Sequence, residues 1–457
     1  MFKRLSAQLT LVLKKIIKCF DKMNSENYAF LNDNLLKYIS ICFVDTNGQL
    51  RSKLVSKDKV IRSTEFNGKG FTIALPSIAL GFNDLQSEIM NISSEESSFG
   101  DIPAKIDLNS FRKVPWLNQD QNVICMLELD NQYNKFCTRS ICRKIISEAN
   151  EKDLFSRFGF EFEFTLLDEN SISAANKSYN NLQTSTINSS YNLLHRQHQQ
   201  SDLYSKFCEN ADIMNIEIEA WHEEMGPGFM EVATASGQSI KNVDDAVLVK
   251  HLIKQTTMRF DKLATFMARW NDQSDGQSGH IHISLENKNK ENLFLKNNKD
   301  FFGFIGGLQK FSPEFMIFFA PNNNSFKRLQ PGYFSPQKND WDWENRKMAF
   351  RAINGKNKRI ENRIPGSDIN PYLALSATIV SGLEGINQQL EASKPKIGKQ
   401  LPKELIDACK KLKKSYLAKN KFGEEFISLI SDFKLNENFK QNNFITDIEK
   451  KHYLEFS

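Results

Sequence analysis

The sequence predicts an α+β fold, because strand-like and helical segments alternate along the chain in mixed order. The strand-like segments are residues 160–167, 213–218, 280–285 and 359–364. The helical stretches, with apolar residues at helical spacing, are residues 140–157, 243–266 and 371–390. Between residues 171 and 201 the chain is rich in Ser, Asn and Gln, and we expect a surface excursion or a mobile lid there.

The composition is that of an ordinary globular protein. The 457 residues suffice for about two to three domains, and 40% hydrophobic with 25% charged residues is typical of a chain that buries a core. Basic residues are scattered among 55 acids, so the net charge of +5 predicts no nucleic-acid surface. The seven cysteines form no Cys-x-x-Cys pair, which favours reduced thiols over a zinc site. We therefore expect a cytoplasmic protein with no nucleic-acid or membrane partner.

Residues 1–22 form a basic extension that contains no acid before Asp21. Its apolar run, Leu11 to Leu13, is much shorter than the about 20 residues that span a bilayer. We favour an extension or surface helix ahead of a start at Met23. The alternative is a transit peptide, since these leaders are basic, amphipathic and poor in acids, and the protein would then lie in an organelle matrix.

The part that follows begins with a predicted hairpin over residues 36–60. Two apolar strands flank Asp45-Thr-Asn-Gly48, and an Asn-Gly pair supplies the positive-φ positions of a tight turn. The pattern stays short-stranded until a helix begins near residue 140. We therefore place a domain boundary near Asn134, between a first domain of residues 23–134 and a second of residues 135–457.

A pair of acids marks the first chemical feature. The run Phe158-Gly-Phe-Glu161-Phe-Glu163-Phe alternates apolar and acidic residues. Side chains two residues apart on a strand share a face, so Glu161 and Glu163 project together. Carboxylates placed this way repel each other unless a cation lies between them. The pair indicates a metal site, with a solvated strand face as the alternative.

Two further motifs carry polar groups on one strand face. They are His280-Ile-His282-Ile-Ser284 and Arg359-Ile-Glu361-Asn-Arg363. Taken singly, a histidine in the core and a surface salt-bridge strip are the ordinary interpretations. Two histidines at this spacing, out of seven in the chain, are less easily explained as core residues. The arginine motif indicates a row that binds anions and contains a metal ligand, because the planar fork of arginine matches carboxylate and phosphate oxygens.

A turn with acids on both sides lies between these motifs. In His222-Glu223-Glu-Met-Gly-Pro-Gly228-Phe-Met-Glu231 the turn either brings Glu223 and Glu231 toward one point or carries solvated acids. Carboxylates with one or two imidazoles suit Mg²⁺ or Mn²⁺ better than zinc. No Walker-type glycine loop is present, so metals and arginines would hold a polyphosphate. The arginines that would complete such a site are Arg328, Arg346 and Arg351.

In this order, the motifs resemble the glutamine synthetase family over about residues 36–386. The motifs that carry the likeness are Gly159-Phe-Glu-Phe-Glu-Phe, His222-Glu with Gly-Pro-Gly and Glu231, Gly279-His-Ile-His, Asn324-Ser-Phe-Lys-Arg-Leu, Asn345-Arg, and Arg359-Ile-Glu-Asn-Arg with Asn370-Pro-Tyr-Leu. The resemblance implies an N-terminal β-grasp domain and a catalytic domain with an antiparallel sheet and flanking helices. It also implies a homo-oligomeric ring, in which a neighbour's β-grasp domain closes each site.

The resemblance also implies roles for single residues. One metal ion, Mg²⁺ or Mn²⁺, would bind Glu163, Glu223 and Glu231, and a second would bind Glu161, His280 and Glu361. ATP would contact His282, Ser284, Arg351 and Arg359, with Arg346 at the transferred phosphoryl group. Glutamate would contact Gly276, Arg328 and Arg363. The implied reaction phosphorylates the γ-carboxylate of glutamate with ATP, and an amine then displaces the phosphate.

The likeness fails where ammonia-using members hold ammonium. Pro331-Gly-Tyr is followed by Phe334 instead of Glu, Ala74-Leu-Pro-Ser77 lacks the expected Asp, and Phe229 replaces a Gln. Fewer carboxylates attract a small cation less, and an aromatic ring can face an alkyl group. We therefore predict a γ-glutamyl-amine ligase with Phe334 and Phe229 in its amine pocket. The alternatives are a glutamine synthetase that uses ammonia, with Asp84 replacing the lost acid, and a non-catalytic member, against which the intact metal ligands argue.

Overall fold

The computed structural model describes residues 31–81, 99–331 and 334–453. The basic extension predicted at residues 1–22, the first residues of the predicted domain 23–134 and Asp84 lie outside the described residues. Two β-sheets, one N-terminal and one central, organise the described chain. In these three stretches no helix is both long and apolar enough to cross a membrane.

The N-terminal sheet is mixed. Its described strands are β1 (Tyr38–Val44), β2 (Leu50–Ser56), β3 (Lys69–Ala74), β4 (Asp101–Ile106), β5 (Arg112–Lys113) and β6 (Val123–Leu129), with helix α1 (Lys57–Thr64) between β2 and β3. Their order is β2-β1-β6-β4-β3, with β5 beside β6 and with β1 parallel to β6. β1 and β2 form the predicted hairpin, which turns at Gly48 with a φ of +77°. This arrangement confirms the predicted β-grasp fold.

The central sheet carries the site. Its described strands are β7 (Phe155–Leu167), β8 (Ile218–Glu223), β9 (Phe229–Thr234), β10 (Leu263–Thr265), β11 (Gly279–Glu286), β12 (Trp341–Trp343), β13 (Phe350–Ile353) and β14 (Arg359–Asn362). They are ordered β12-β13-β14-β11-β7-β9-β8, with β10 beside β7. Every neighbouring pair of these strands is antiparallel except β12 with β13. The predicted antiparallel sheet is therefore confirmed.

Helices flank this sheet, as predicted. They are α2 (Thr138–Asn150), α3 (Ser171–Asn176), α4 (Leu194–Gln199), α5 (Ser201–Ile213), α6 (Ile240–Met258), α7 (Leu293–Lys296), α8 (Asn298–Phe311), α9 (Met316–Phe319), α10 (Asn323–Arg328), α11 (Pro371–Asn387), α12 (Leu405–Lys414), α13 (Tyr416–Phe422), α14 (Glu424–Asn442) and α15 (Asp447–Tyr453).

Every second residue of β7 from Phe158 to Phe164 is a buried phenylalanine, and Lys250 of α6 lies over the Phe162 ring. The acids between these phenylalanines therefore point to the other, open face of the sheet.

Three predicted segments have wrong boundaries. The predicted helix 140–157 ends before Asp153, whose φ of +59° is left-handed, and its last residues belong to β7. The predicted helix 243–266 also ends early and includes β10, while the predicted strand 213–218 spans the end of α5 and the start of β8. Short apolar runs fit a helix and a strand equally well, and only sheet contacts decide between them. The domain boundary near Asn134, which falls between β6 and α2, stays a prediction.

One buried arginine links the N-terminal part to the central part. The side chain of Arg139, on α2, is 2% exposed. It donates to Asp107 at 2.8 Å and to Glu128 of β6, and it binds both carboxylate oxygens of Asp244 on α6 at 2.9 Å and 2.7 Å. Tyr372 of α11 donates to the same Asp244 at 2.6 Å. The two sheets are thus joined by charges that are removed from water.

Candidate active site

Three neighbouring strands bring polar side chains to one place on the open face of the central sheet. Glu161 and Glu163 alternate with the buried phenylalanines of β7. Across the sheet, Glu161 lies opposite His280 of β11, and Glu163 lies opposite Glu231 of β9. Because directly opposite residues project from the same face, these four side chains converge.

Ligand atoms in this place are close enough to share metal ions. Those of Glu161, Glu231 and His280 lie within 4.8 Å of one another, and so do those of Glu161, His282 and Glu361. Nδ1 of His280 lies 3.4 Å from Glu161 and 3.5 Å from Glu361. Nε2 of His280 is buried and has no hydrogen-bond partner among the residues that the structure describes. A buried polar atom without a partner is costly, and ligation of a metal ion would satisfy it.

The raised pKa of Glu231 also indicates a site for a metal ion. Burial, followed by the charges of Glu161, Glu163, Glu224 and Glu361, raises the pKa of Glu231 to about 10. A cation among these carboxylates would offset their repulsion. Carboxylate oxygens with an imidazole are ligands that suit Mg²⁺ or Mn²⁺. The residues present therefore fit the divalent ions that the sequence predicts.

Glu361 lies between two of the predicted arginines. Nη1 of Arg351 donates to Oε2 of Glu361 at 3.0 Å, and Nη1 of Arg363 donates to Oε1. Burial would raise the pKa of Glu361, but His280 and Arg363 lower it to about 2. Glu361 is therefore ionised, and it holds both guanidinium groups beside the cluster of carboxylates.

The side chains predicted to contact ATP form a row across β11, β14 and β13. Nε of Arg359 donates to Nδ1 of His282 at 3.0 Å, and Nε2 of His282 lies 3.0 Å from Glu161. Ser284 is buried two residues farther along β11, on the face of His282. Arg351 completes the row from β13. The row lies beside the carboxylates, where a metal-bound polyphosphate would extend.

Two of the residues predicted to contact glutamate touch each other. A side chain at Gly276 would collide with the aliphatic part of Arg328, so only glycine fits there. The buried Arg328 side chain donates to Oγ of Ser278 at 3.2 Å and to the carbonyl of Ile364. Burial lowers the pKa of Arg328 to about 10, which leaves the group charged at neutral pH. A fixed cation therefore lies beside the loop between β10 and β11.

Comparison with known proteins shows to which family this chain belongs. A family model described as "Glutamine synthetase, catalytic domain" matches residues 135–453. A "Type-1 glutamine synthetase 2" from Dictyostelium discoideum is 32% identical over 460 residues, which cover 95% of this chain and 87% of that protein. The chain belongs to the glutamine synthetase family.

Two further matches agree with this family. A "Glutamate--isopropylamine ligase" from a Pseudomonas species is 29% identical over 451 residues, which cover 93% of this chain and 96% of that protein. A solved structure titled "Apo GmaS without ligand" superposes with a TM-score of 0.80 at 21% identity, covering 95% of this chain and 100% of that one. The match to the solved structure shows that this chain and that protein share a fold.

The glutamine synthetase family consists of ATP-dependent ligases, and this chain is one of them. Family members use divalent metal ions with ATP, act on small molecules and commonly form oligomers. The predicted family, fold and enzyme class are therefore confirmed. The roles of single residues and the identity of the amine stay predictions.

The structure corrects the place of Glu223 in this glutamine synthetase site. Glu223 faces away from Glu231, and its carboxylate accepts hydrogen bonds from Ser190 and from Gln200, the latter at 3.0 Å. The reason is strand alternation: in β8 the residue opposite Glu231 is the one before Glu223, so Glu223 points to the other face. The prediction that Glu223 joins Glu231 is wrong in this structure.

Two residues that the sequence analysis missed occupy the place predicted for Glu223. His222 lies opposite Glu231, and the ligand atoms of His222, Glu224 and Glu231 lie within 4.8 Å of one another. Nε2 of His222 is 3.0 Å from Glu224 and 3.5 Å from Glu231. The sequence separates residues 222 and 224 from Glu223 by parity, but only the pairing of His222 with Glu231 in the sheet shows which parity faces the site.

The other predicted residues differ in how close they come to the cluster. Phe229 is half-buried on the face of β9 that carries Glu231. Arg346 is exposed on the turn after β12, and no hydrogen bond or ion pair within the described chain joins it to the carboxylates. Phe334 is 53% exposed, with Nζ of Lys347 5.9 Å from its ring centre. The structure thus brings Phe229 toward the site and leaves Arg346 and Phe334 at the surface.

Proposed function

We propose that this ligase joins glutamate to a small organic amine and forms a γ-glutamyl amide through a γ-glutamyl phosphate. The observation that carries the proposal is the loss of acids where ammonium would bind. Phe334 follows Pro331-Gly-Tyr in place of Glu, and the short helix Leu75–Ala79 offers no carboxylate. Phe229 adds an apolar wall on the face of Glu231. Apolar walls favour an alkyl chain over a bare ammonium ion.

Two sets of side chains would hold the divalent ions in this proposal. One set is Glu161, His280 and Glu361. The other is Glu163, Glu224 and Glu231, with Glu224 in the role predicted for Glu223 and with His222 beside it. When bound, Mg²⁺ or Mn²⁺ neutralises and aligns the glutamate γ-carboxylate and the ATP phosphates.

The chain's own cations would act on the two substrates. Arg351 and Arg359 present guanidinium groups to the phosphates and stabilise the charge that develops as the γ-phosphoryl group moves to the carboxylate of glutamate. Arg346 would approach that group from the turn after β12, and Arg328 would hold glutamate. An unprotonated amine then attacks the acyl carbon of the acyl phosphate. The C–N bond forms as the C–O bond to phosphate breaks, and the departing phosphate takes up the proton that the nitrogen loses. The apolar side of the site accepts the alkyl part of the amine.

Competition among amines tests the proposal. Glutamate-dependent ADP release should show a higher kcat/KM for methylamine, ethanolamine or a diamine than for ammonium. Each lost charge-assisted contact is worth about 1.5–3 kcal/mol, or roughly one to two decades in kcat/KM. Phe334→Glu should shift the preference toward ammonium, whereas Phe334→Leu, which stays apolar, should keep it. A wild-type enzyme that prefers ammonium to every amine would refute the proposal.

Ammonia is the second candidate substrate. The observation in its favour is the relative from Dictyostelium discoideum, which is named a glutamine synthetase and is 32% identical to this chain. Under this alternative an acid from elsewhere would replace the missing carboxylates. The same competition experiment distinguishes the two, because an ammonia-using enzyme would gain little from Phe334→Glu.

A further inference from the structure

The polar segment, defined as residues 171–201, contacts the turn that joins β8 to β9 on the side that faces away from Glu231. The hydroxyl of Ser190 donates to Oε2 of Glu223, and the amide of Gln200 donates to Oε1 at 3.0 Å. Glu223 is 5% exposed, and no cationic side chain of the described residues pairs with it. Both oxygens of a buried carboxylate are thus held by neutral donors of one segment.

Backbone contacts fix the same turn. The amide of Asn192 donates to the carbonyl of Glu223 at 3.3 Å, on the β8 side. The amide of Gly228, on the β9 side, donates to Oγ1 of Thr186 at 2.7 Å. The amide of Ser185 donates to a carbonyl of β7 at 2.8 Å, which ties the segment to the sheet. Both limbs of the turn are therefore anchored to the polar segment.

The turn carries part of the metal-binding group. His222 and Glu224 flank Glu223, and strand alternation directs them to the opposite face, beside Glu231. We call His222, Glu224 and Glu231 the turn ligands. A Glu223 side chain held at the back of the sheet fixes the direction in which its two neighbours point. Partners outside the ligand shell commonly set metal affinity in this way.

We infer that Ser190 and Gln200 are positioning residues, which set the affinity of the turn ligands for a divalent cation by holding Glu223. The inference rests on the metal site of the proposed function. It also gives a role to a segment for which the sequence predicted a surface excursion or a mobile lid. A lid that swung free would strip a buried carboxylate of its donors, which is costly. The segment acts instead as a fixed support for the turn.

Binding of Mn²⁺ to the complete protein tests the inference without turnover. The electron paramagnetic resonance signal of free Mn²⁺ reports how much of the ion is bound. Gln200→Ala should weaken binding by about tenfold. It should also speed hydrogen exchange at residues 224–228 of the metal-free protein. Gln197→Ala is the matched control, because Gln197 lies on α4, three residues before Gln200, and is exposed. This control should bind Mn²⁺ as the wild type does.

A double variant distinguishes the loss of the Gln200–Glu223 contact from a general loss of structure. Gln200→Glu sets a second carboxylate against Glu223 and should weaken Mn²⁺ binding more than Gln200→Ala. Adding Glu223→Gln reverses the amide–carboxylate pair and should restore binding to within about threefold of the wild type. Wild-type affinity in Gln200→Ala, or a double variant that stays weak, would overturn the positioning role alone. A wild-type protein that binds no Mn²⁺ would overturn the inference together with the metal site.

Discussion

The acids of the site act together on one residue, Glu231. Burial and the surrounding carboxylates raise its pKa to about 10, so this carboxyl keeps its proton at neutral pH when no cation is near. A divalent ion in place of that proton offsets the repulsion and allows Glu231 to ionise. A metal ion and a proton therefore compete for Glu231, and the geometry of its neighbours decides how well the metal competes.

Two adjacent acids in the turn should differ sharply when mutated. Glu224→Ala removes a turn ligand, and it should raise the Mn²⁺ concentration needed for half-maximal ligase activity by more than about 100-fold. Glu223→Gln keeps the shape of the side chain and one acceptor oxygen, and the Gln200 amide can turn over to accept from the new NH2 group, so that concentration should change by less than about fivefold. Titration of activity with Mn²⁺ measures both. The reverse result would return Glu223 to the ligand set.

Strand alternation explains which site residues could be predicted from the sequence. Glu161 and Glu163 were recognisable because phenylalanines fix the parity of β7. In the turn, Glu223 and Glu224 are both acids, and only the residue opposite Glu231 decides which one faces the site. The contact of Ser190 with Glu223 spans 33 residues, and no local pattern encodes it. The motifs therefore predict the fold and most of the cluster of carboxylates and imidazoles. Which acid of the turn points toward Glu231 depends on strand pairing, which only the structure shows.

At the scale of elements, α8 and α11 pack so closely that side chains are excluded from parts of their contact. A Cβ at Gly307 of α8 would collide with the backbone of α11 at Ser381, and one at Gly385 would collide with the backbone of α8. A Cβ at Gly303, also on α8, would lie 3.3 Å from the nearest atom, the Cα of Ile386. The glycines of α8 are therefore not equivalent, although they lie one turn apart.

This difference predicts unequal effects of the same substitution. Gly307→Ala should destabilise the protein by about 1–3 kcal/mol or more, because the two helices must move apart. Gly303→Ala should cost less, since its neighbour need shift only slightly and alanine favours a helix by about 1 kcal/mol. Thermal unfolding of both variants under identical conditions gives the comparison. Equal melting temperatures would show that the helices are not packed as described.

At the scale of the whole molecule, buried charges join the N-terminal and central parts. Burial acts to raise the pKa of Asp107, but Arg139 and then Arg143 lower it below its ordinary value. Such a carboxyl stabilises the fold above its unfolded pKa, and this contribution is lost as the pH falls through the folded pKa. The link between the two parts should therefore weaken in acid.

Removal of the central arginine should be far more harmful than removal of its neighbour. Arg139→Ala leaves Asp107, Glu128 and Asp244 without their shared partner and should cost about 3–5 kcal/mol. Arg143→Ala is the control, since Arg143 contacts the same first two acids but is 39% exposed, and it should cost about 0–1 kcal/mol.

Thermal unfolding at several pH values measures both variants. The difference in the free energy of unfolding between the wild type and Arg139→Ala should narrow as the pH falls through the lowered pKa of Asp107, because protonation of this carboxyl removes its charge pairing with Arg139. If this difference in the free energy of unfolding stays constant with pH, packing rather than charge pairing accounts for the lower stability of Arg139→Ala.

The active form should be a ring of subunits, because the β-grasp domain is expected to close a neighbour's site. Family members commonly form oligomers. Light scattering on the active fraction from gel filtration should therefore give a mass several times that of the 52.6 kDa chain. Dilution that dissociates the assembly should reduce activity in parallel. An active species with the mass of a single chain would exclude a shared site.

The buried arginine also constrains how genes of this family could be recombined. A crossover at residue 134 would take Asp107 and Glu128 from one parent and Arg139 with Asp244 from the other. If the second parent lacked the arginine, the hybrid would bury three acids without the cation that they share. If the first parent lacked the acids, the arginine would lose two of its three acidic partners. Exchange of the N-terminal part is therefore confined to parents that share this set of charges, however similar their active sites are.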